Sequence, residues 1–184
     1  MKDTLSQNAA YHMGDCNIKL DKKIEALRSF ELASKYNYNP KIKEDALFNF
    51  AQLSFELSMS PFNEAINAFT LYIKEYPNSP RTDLAYDYLI DAFLSTKNYQ
   101  ASIATIEKMQ NRNTKIDAAY QRLTYFRGLE YFTQLKYNEA ITMFDKSLDY
   151  KIYDKTIDAL AHYWKAEANY RLGNVEDAIK MFII

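Results

Sequence analysis

The sequence predicts an all-α fold, a right-handed α-solenoid of antiparallel helix pairs, in about five repeats with the last one truncated. Three observations carry this expectation. The first is a recurring pattern, clearest in Tyr137-Asn138-Glu139-Ala140-Ile141-Thr142-Met143-Phe144. Positions i and i+4 share one face of a helix, so Ala140 and Phe144 offer a small and a large apolar group to the same neighbour. Ala26-x3-Phe30, Ala65-x3-Phe69 and Ala178-x3-Phe182 repeat it in full, and Ser102-x3-Ile106 is a weaker copy. The anchors at 26, 65, 102, 140 and 178 stand 39, 37, 38 and 38 residues apart. The second observation is a small residue in another apolar helical stretch twelve positions before the anchor: Gly14, Gly128 and Ala166. Ala51 lies fourteen before Ala65, and Ile90 departs from the rule in the third copy. The third is scarcity of turn formers, with three glycines and four prolines in 184 residues. That opposes a β fold with many tight turns and suits long helices.

Each repeat therefore reads as a helix A with the small residue and a helix B with the alanine. Helix A1 is expected over about 4–19. Asp21 is expected to cap B1, which ends near Tyr38-Asn39-Pro40. A2 is expected over 42–57. Ser60-Pro61 then starts B2, with serine as N-cap and proline in the first turn, and Pro77 stops it. Ser79-Pro80 starts A3 in the same way, to about 96. Asn98 caps B3, which ends near Gln110, and Asn111-Arg112-Asn113 forms the turn. A4 is expected over 114–135, B4 from Asn138 to Tyr150 and A5 over 154–172. Gly173 ends A5 and Asn174 caps B5. The repeats fall at about 4–39, 40–77, 78–112, 113–152 and 153–184, in one continuous domain without a linker.

Net charge is −1, from 23 basic and 24 acidic residues interspersed along the chain. A nucleic-acid binder or a binder of anionic membrane needs a basic face, so neither partner is expected. No run approaches the apolar length that spans a bilayer. Cys16 is the only cysteine, which excludes an internal disulfide. The start lacks an apolar signal segment, and Ala178–Ile184 ends on apolar residues inside helix B. A solenoid needs a polar cap, so the chain reads as a fragment of a longer protein. Phe182 and Ile183 are expected to seek a partner, giving end-to-end self-association.

No catalytic, metal or cofactor set emerges. His12 and Cys16 lie one turn apart with Asp15 beside them, but zinc wants three or four protein ligands and His162 is four repeats away. Asp87 and Asp91 could act as acid and base, or be a solvated helix face; no nucleophile accompanies them. No phosphate loop or nucleophile elbow is present. The 16 tyrosines and 11 phenylalanines suit gap filling between stacked helices.

The small residue in helix A, an aromatic three residues later (Gly128 and Tyr131), the Ala-x3-Phe of helix B and the closing Pro77 together resemble the tetratricopeptide repeat family. The likeness covers nearly the whole chain. The period is three to five residues longer than that family's usual one, about one helical turn. The long repeats, with Glu75-Tyr76-Pro77-Asn78-Ser79-Pro80 and Tyr163-Trp164-Lys165-Ala166-Glu167-Ala168, are similar to a bacterial envelope subgroup. That subgroup includes the lipoprotein of outer-membrane assembly and the Tol–Pal-associated periplasmic protein.

The resemblance implies a non-catalytic scaffold that binds a protein or peptide on a concave face lined by the A helices, in the periplasm or at the outer membrane, with the cytoplasm as the alternative. Structural spacer repeats and a substrate-recruiting module of a larger enzyme are the competing roles. Carried over from the family, groove positions lie three and two residues before the small residue and one after it. They select Tyr11, His12 and Asp15; Phe48, Asn49 and Gln52; Asp87, Tyr88 and Asp91; Tyr125, Phe126 and Leu129; and Tyr163, Trp164 and Glu167. Seven of these fifteen are aromatic, four are acidic and none is Lys or Arg. That composition disfavours the carboxylate clamp used on chaperone tails. It favours a basic and aromatic peptide, unless the rings pack between helices instead.

Overall fold

The computed structural model describes residues 4–57, 62–96, 98–110 and 112–182, with the side chains of 62, 63 and 182 excepted. Ser60-Pro61 and Ile183 lie outside the described residues, as do Asn111 and the side chain of Phe182. Among the described residues the chain forms ten α-helices and no strand. They are α1 (Thr4–Lys19), α2 (Lys23–Ser34), α3 (Pro40–Glu56), α4 (Phe62–Glu75), α5 (Thr82–Ser95), α6 (Tyr99–Glu107), α7 (Thr114–Thr133), α8 (Tyr137–Leu148), α9 (Lys155–Arg171) and α10 (Val175–Phe182). Odd-numbered helices are the A helices and even-numbered ones the B helices of an α-solenoid.

The chain divides into two compact units, Met1–Ala92 and Phe93–Ile184. In the first, α1 packs on α2, α2 on α3 and α3 on α4, and the like helices α1 and α3 also touch. In the second, α6 through α10 pack in chain order and α7 touches α9. The anchors are core: Ala26, Ser102 and Ala140 are fully buried, and Ala65 and Ala178 nearly so.

Three A-to-B turns share one geometry. Asp21, Leu135 and Gly173 each stand seven residues after the small residue and adopt φ of 55°, 61° and 84°. The next residue's N–H then closes the helix end: Lys22 to the Asn17 carbonyl at 2.8 Å, Lys136 to Tyr131 at 2.9 Å and Asn174 to Asn169 at 2.9 Å. Asp21 is thus the left-handed turn residue and not the cap of α2, whose N-cap position is Lys22.

Pro40 likewise opens α3 and does not close α2. Asn39 is the cap, its side chain accepting from the N–H groups of Lys41 and Ile42. The ring of Pro40 fits the first turn because no N–H is needed there. Asn98 caps α6 by accepting from Ala101 N–H. Asn113 caps α7 through Ile116 N–H, and Asp154 caps α9 through the N–H groups of Thr156 and Ile157. Helix α6 ends at Glu107, a turn short of the expected Gln110.

Candidate functional site

The site begins with what fixes the A helices. Gly14 and Gly128 lie against the rings of Phe30 and Phe144. A Cβ on Gly14 would stand 2.6 Å from Phe30 Cε1, and one on Gly128 2.5 Å from Phe144 Cε1. The small residue therefore makes room for the phenylalanine of its own helix B, and at Gly14 or Gly128 a larger side chain would have to displace that ring. Ala51 and Phe69, both fully buried, hold the same positions in the second repeat.

Counted from the small residue (Gly14, Ala51, Ile90, Gly128, Ala166), a second device appears seven positions earlier. Gln7 is fully buried there. Its Nε2 donates to the carbonyls of Tyr36 (3.1 Å) and Asn39 (3.2 Å), and its Oε1 accepts from Asn39 N–H at 2.7 Å. Gln121, also fully buried, does the same with Asp154, donating to its carbonyl at 3.0 Å and accepting from its N–H at 2.9 Å. Both partners are N-caps, so each glutamine holds the backbone at the start of the next helix A. Glu44 varies the device, accepting from the hydroxyls of Tyr72 (3.0 Å) and Ser79 (2.6 Å). Sequence reasoning missed these residues. The available signal was a Gln whose distance to the next helix-capping Asn or Asp is 32 or 33 residues.

Of the selected residues three before the small residue, Phe48, Tyr125 and in part Tyr11 are drawn into packing, while Asp87 and Tyr163 are exposed. Phe48 is 4% exposed, edge-on to Phe69 and Tyr72, with the Arg81 guanidinium 4.8 Å from its centroid. Tyr125 is 5% exposed against Phe144. These two are corrected from groove to core, because the following helix A covers that side of the helix. Tyr11 is half-buried, edge-on to Phe30, and its hydroxyl donates to Asp45.

The remaining selected residues are more open. His12 is exposed, and Asp15 and Asn49 are partly so. Gln52 is partly exposed and donates to Glu56. Asp87 and Asp91 are exposed on α5, where Tyr88 stacks on Phe69 with centroids 5.3 Å apart. In the second unit Phe126 stacks on Tyr99, Leu129 is half-buried and Tyr163 is 49% exposed. Trp164 is half-buried with its indole edge-on to Phe132, and Glu167 pairs with Arg171 at 2.8 Å.

Helices α1, α3 and α5 are tied side by side by a charged chain. Arg81 on the approach to α5 pairs with Asp45 of α3 at 2.5 Å, and Asp45 also accepts from Tyr11 of α1. Burial, then the Asp45 bond, pushes the Tyr11 phenol well above its usual range. In the second unit burial and the bond to Glu107 do the same to Tyr120. Glu107 in turn is held below the usual carboxylate range by Lys146, at 2.7 Å, and by Tyr120.

On the opposite side of α3, by helical geometry, a groove of about 770 Å³ runs between α2, α3 and α4 over Leu47, Phe50 and Ala68. Its rim carries the Lys35–Glu31 and Lys43–Glu75 ion pairs. Cys16 and His12 are both exposed, with His12 Nδ1 3.9 Å from Asp15. Among the described residues no group of three or more His, Cys, Asp or Glu is placed to hold a metal. No described helix is long and apolar enough to cross a membrane.

Residues 45–79 and residues 126–182 each match a tetratricopeptide repeat family model. No curated protein matches the chain. Similar solved structures include a crystal structure of MamA protein, 18% identical, covering 96% of this chain and 88% of that one, TM-score 0.43. Another is residues 41 to the end of MamA from Desulfovibrio magneticus RS-1, 18% identical, covering 97% and 92%, TM-score 0.43. A third is the apo form of the quorum sensor NprR from B. thuringiensis, 15% identical, covering 94% and 50%, TM-score 0.42. Over residues 45–79 in the first unit and 126–182 in the second, the chain belongs to the tetratricopeptide repeat family.

Proposed function

We propose that the chain is a non-catalytic scaffold that holds a protein or peptide segment on the exposed face of its A helices, in the bacterial cell envelope. The observation that carries the binding reading is the solvent exposure of Asp87 and Asp91 on α5, with Asp15 on α1 partly exposed. The tyrosine and phenylalanine at the neighbouring positions are spent on packing. Carboxylates on a face otherwise organised by tight packing suit a basic segment. The exposed Tyr163 and half-buried Trp164 add ring surface for apolar or cationic side chains in the second unit. The envelope location is supported by the 37–39-residue period and by the Glu75–Pro80 and Tyr163–Ala168 segments.

The test is a peptide-library screen followed by titration calorimetry. Basic and aromatic sequences should be enriched. Their on-rate should fall as salt rises, since steering is screened over roughly 8–10 Å at 0.1–0.15 M. Asp87→Lys with Asp91→Lys should weaken binding with the helical circular dichroism unchanged. Enrichment without charge preference, or full binding by the double variant, would leave spacer repeats as the better account.

A further inference from the structure

The groove between α2, α3 and α4 has counterparts in the second unit, and they are bridged by charge where it is open. Its lining runs from Glu31 to Glu75, so neither end of the sequence takes part in it. Five residues after the anchor, α2, α6 and α8 each carry a carboxylate: Glu31, Glu107 and Asp145. In the second unit a neighbouring helix supplies a cation to each. Lys146 of α8 donates to Glu107 of α6 at 2.7 Å, and Tyr120 of α7 adds another bond at 2.7 Å. Lys165 of α9 pairs with Asp145 of α8 at 2.5 Å.

The first unit puts apolar groups in both cation positions. Leu71 stands where α8 has Lys146, six residues after the anchor, and is 42% exposed. Phe50 stands where α7 has Arg127 and α9 has Lys165, one before the small residue. It is 9% exposed, on the groove floor beside Leu47 and Ala68. Glu31 pairs instead with Lys35, one turn along its own helix, at 2.5 Å, and that lysine side chain is 65% exposed. An exposed pair of this kind is weak and yields readily to a better placed cation. The result is a cavity of about 770 Å³ with an apolar floor, an exposed leucine on the α4 side and the carboxylates Glu31 and Glu64 on its rim.

We infer that this groove takes a basic amphipathic helix of a partner protein. Its large apolar side chains lie on Leu71, Phe50 and Leu47. Its lysine or arginine meets Glu31, in the place that the second unit fills with its own Lys146. A helix fits better than an extended segment because the groove is lined by helices, whose backbone groups are bonded within themselves. An extended segment finds no ladder there, whereas a helix satisfies its own N–H and carbonyl groups. The groove is on the side of α3 away from the Asp45 network, so the inference does not rest on binding at the A-helix face.

The probe is a fluorescein-labelled, alanine-based helical peptide with leucine or phenylalanine at i and i+4 and lysine at i+7, read by fluorescence anisotropy on the full chain. It should bind saturably. Exchanging its lysine for glutamine should weaken binding about tenfold, the scale of one charge-assisted hydrogen bond. Leu71→Lys gives the first unit the cation of the second, so it should occupy the place beside Glu31 and weaken binding by at least as much. Leu71 is partly exposed, so the melting curve should hold. Glu31→Gln should remove the preference for the lysine peptide over the glutamine one. Asp87→Lys with Asp91→Lys should leave binding unchanged. Failure of both peptides to bind, full binding by the Leu71→Lys chain, or equal binding of the lysine and glutamine peptides by the parent would overturn the inference. Binding lost in the Asp87 and Asp91 double variant but kept in Leu71→Lys would overturn it too, by placing the peptide on the A-helix face.

Discussion

The two units use one set of devices to build faces of different chemistry. In each, a glycine of helix A accepts a phenylalanine of helix B: Gly14 with Phe30, Gly128 with Phe144. In each, a fully buried glutamine holds the next N-cap through two backbone groups, and a left-handed residue ends helix A. Yet the first unit withdraws Phe48 into the core and leaves Asp15, Asp87 and Asp91 toward solvent. The second leaves Tyr163 and part of Trp164 accessible. Packing constraints act on the faces between helices. The outward positions are free to vary, so a common frame carries an acidic face in one unit and an aromatic one in the other.

The comparison is most sharply tested at the phenylalanines. Phe30→Ala and Phe144→Ala should each cost about 3–5 kcal/mol, because both rings are essentially fully buried. Urea unfolding followed by circular dichroism should show similar losses for the two. A loss under 1 kcal/mol at either site would mean that the frame is not shared. The reverse change, Gly14→Ala or Gly128→Ala, should cost about 1–3 kcal/mol by driving a Cβ into the ring.

Next come the glutamines. Gln121→Ala strands the N–H and carbonyl of Asp154 and should cost about 1–3 kcal/mol. Gln7→Ala should cost as much, with faster amide exchange at Asn39 as the local readout. Unchanged exchange there would show that water replaces the glutamine.

The turns should respond with opposite signs. Leu135 holds φ 61° without being glycine, so Leu135→Gly should leave stability equal or raise it by up to about 1 kcal/mol. Gly173→Ala, at φ 84°, should lower it by about 1 kcal/mol. Thermal melts of the two variants decide this; a loss at Leu135 would mean that its side chain stabilises the turn despite its exposure.

A smaller effect is expected with pH. Tyr11 and Tyr120 are raised by burial and by their carboxylate partners, and burial pushes Tyr76 up to about 12. Above about pH 10 the unfolded chain releases these protons first, so it binds fewer than the folded chain and stability falls as pH rises. Phenolate absorbance should lag behind that of free tyrosine until the chain unfolds. Tyr120→Phe should reduce the alkaline loss in the second unit while leaving Tyr11 to act in the first. Coincident titration of all tyrosines in the folded protein would contradict the bonds to Asp45 and Glu107. The smallest change is expected from Asp87→Lys with Asp91→Lys, within about 0.5 kcal/mol of the parent for each exposed site.

The helix pairs, their period and the small-residue contact were legible in the residues alone. Local propensity, caps and a 3.6-residue apolar spacing act within one or two turns, so Ala140, Phe144 and Gly128 could be read directly. In the third copy Ile90 is only partly buried and its neighbour Leu89 is fully buried, whereas Gly14, Ala51, Gly128 and Ala166 are all buried, so the third helix A departs from the register of the others. Which aromatic rings are packed and which stay accessible was set by the tertiary structure. Phe48, Tyr88 and Tyr125 have the composition of a binding groove. Their fate depends on how far each helix turns against the next, which residues more than 30 positions away fix, as Asp45 does for Tyr11. The glutamine holds were hidden for the same reason. A polar side chain in a helix reads as solvent-facing until a backbone N–H and carbonyl from the next repeat come to meet it.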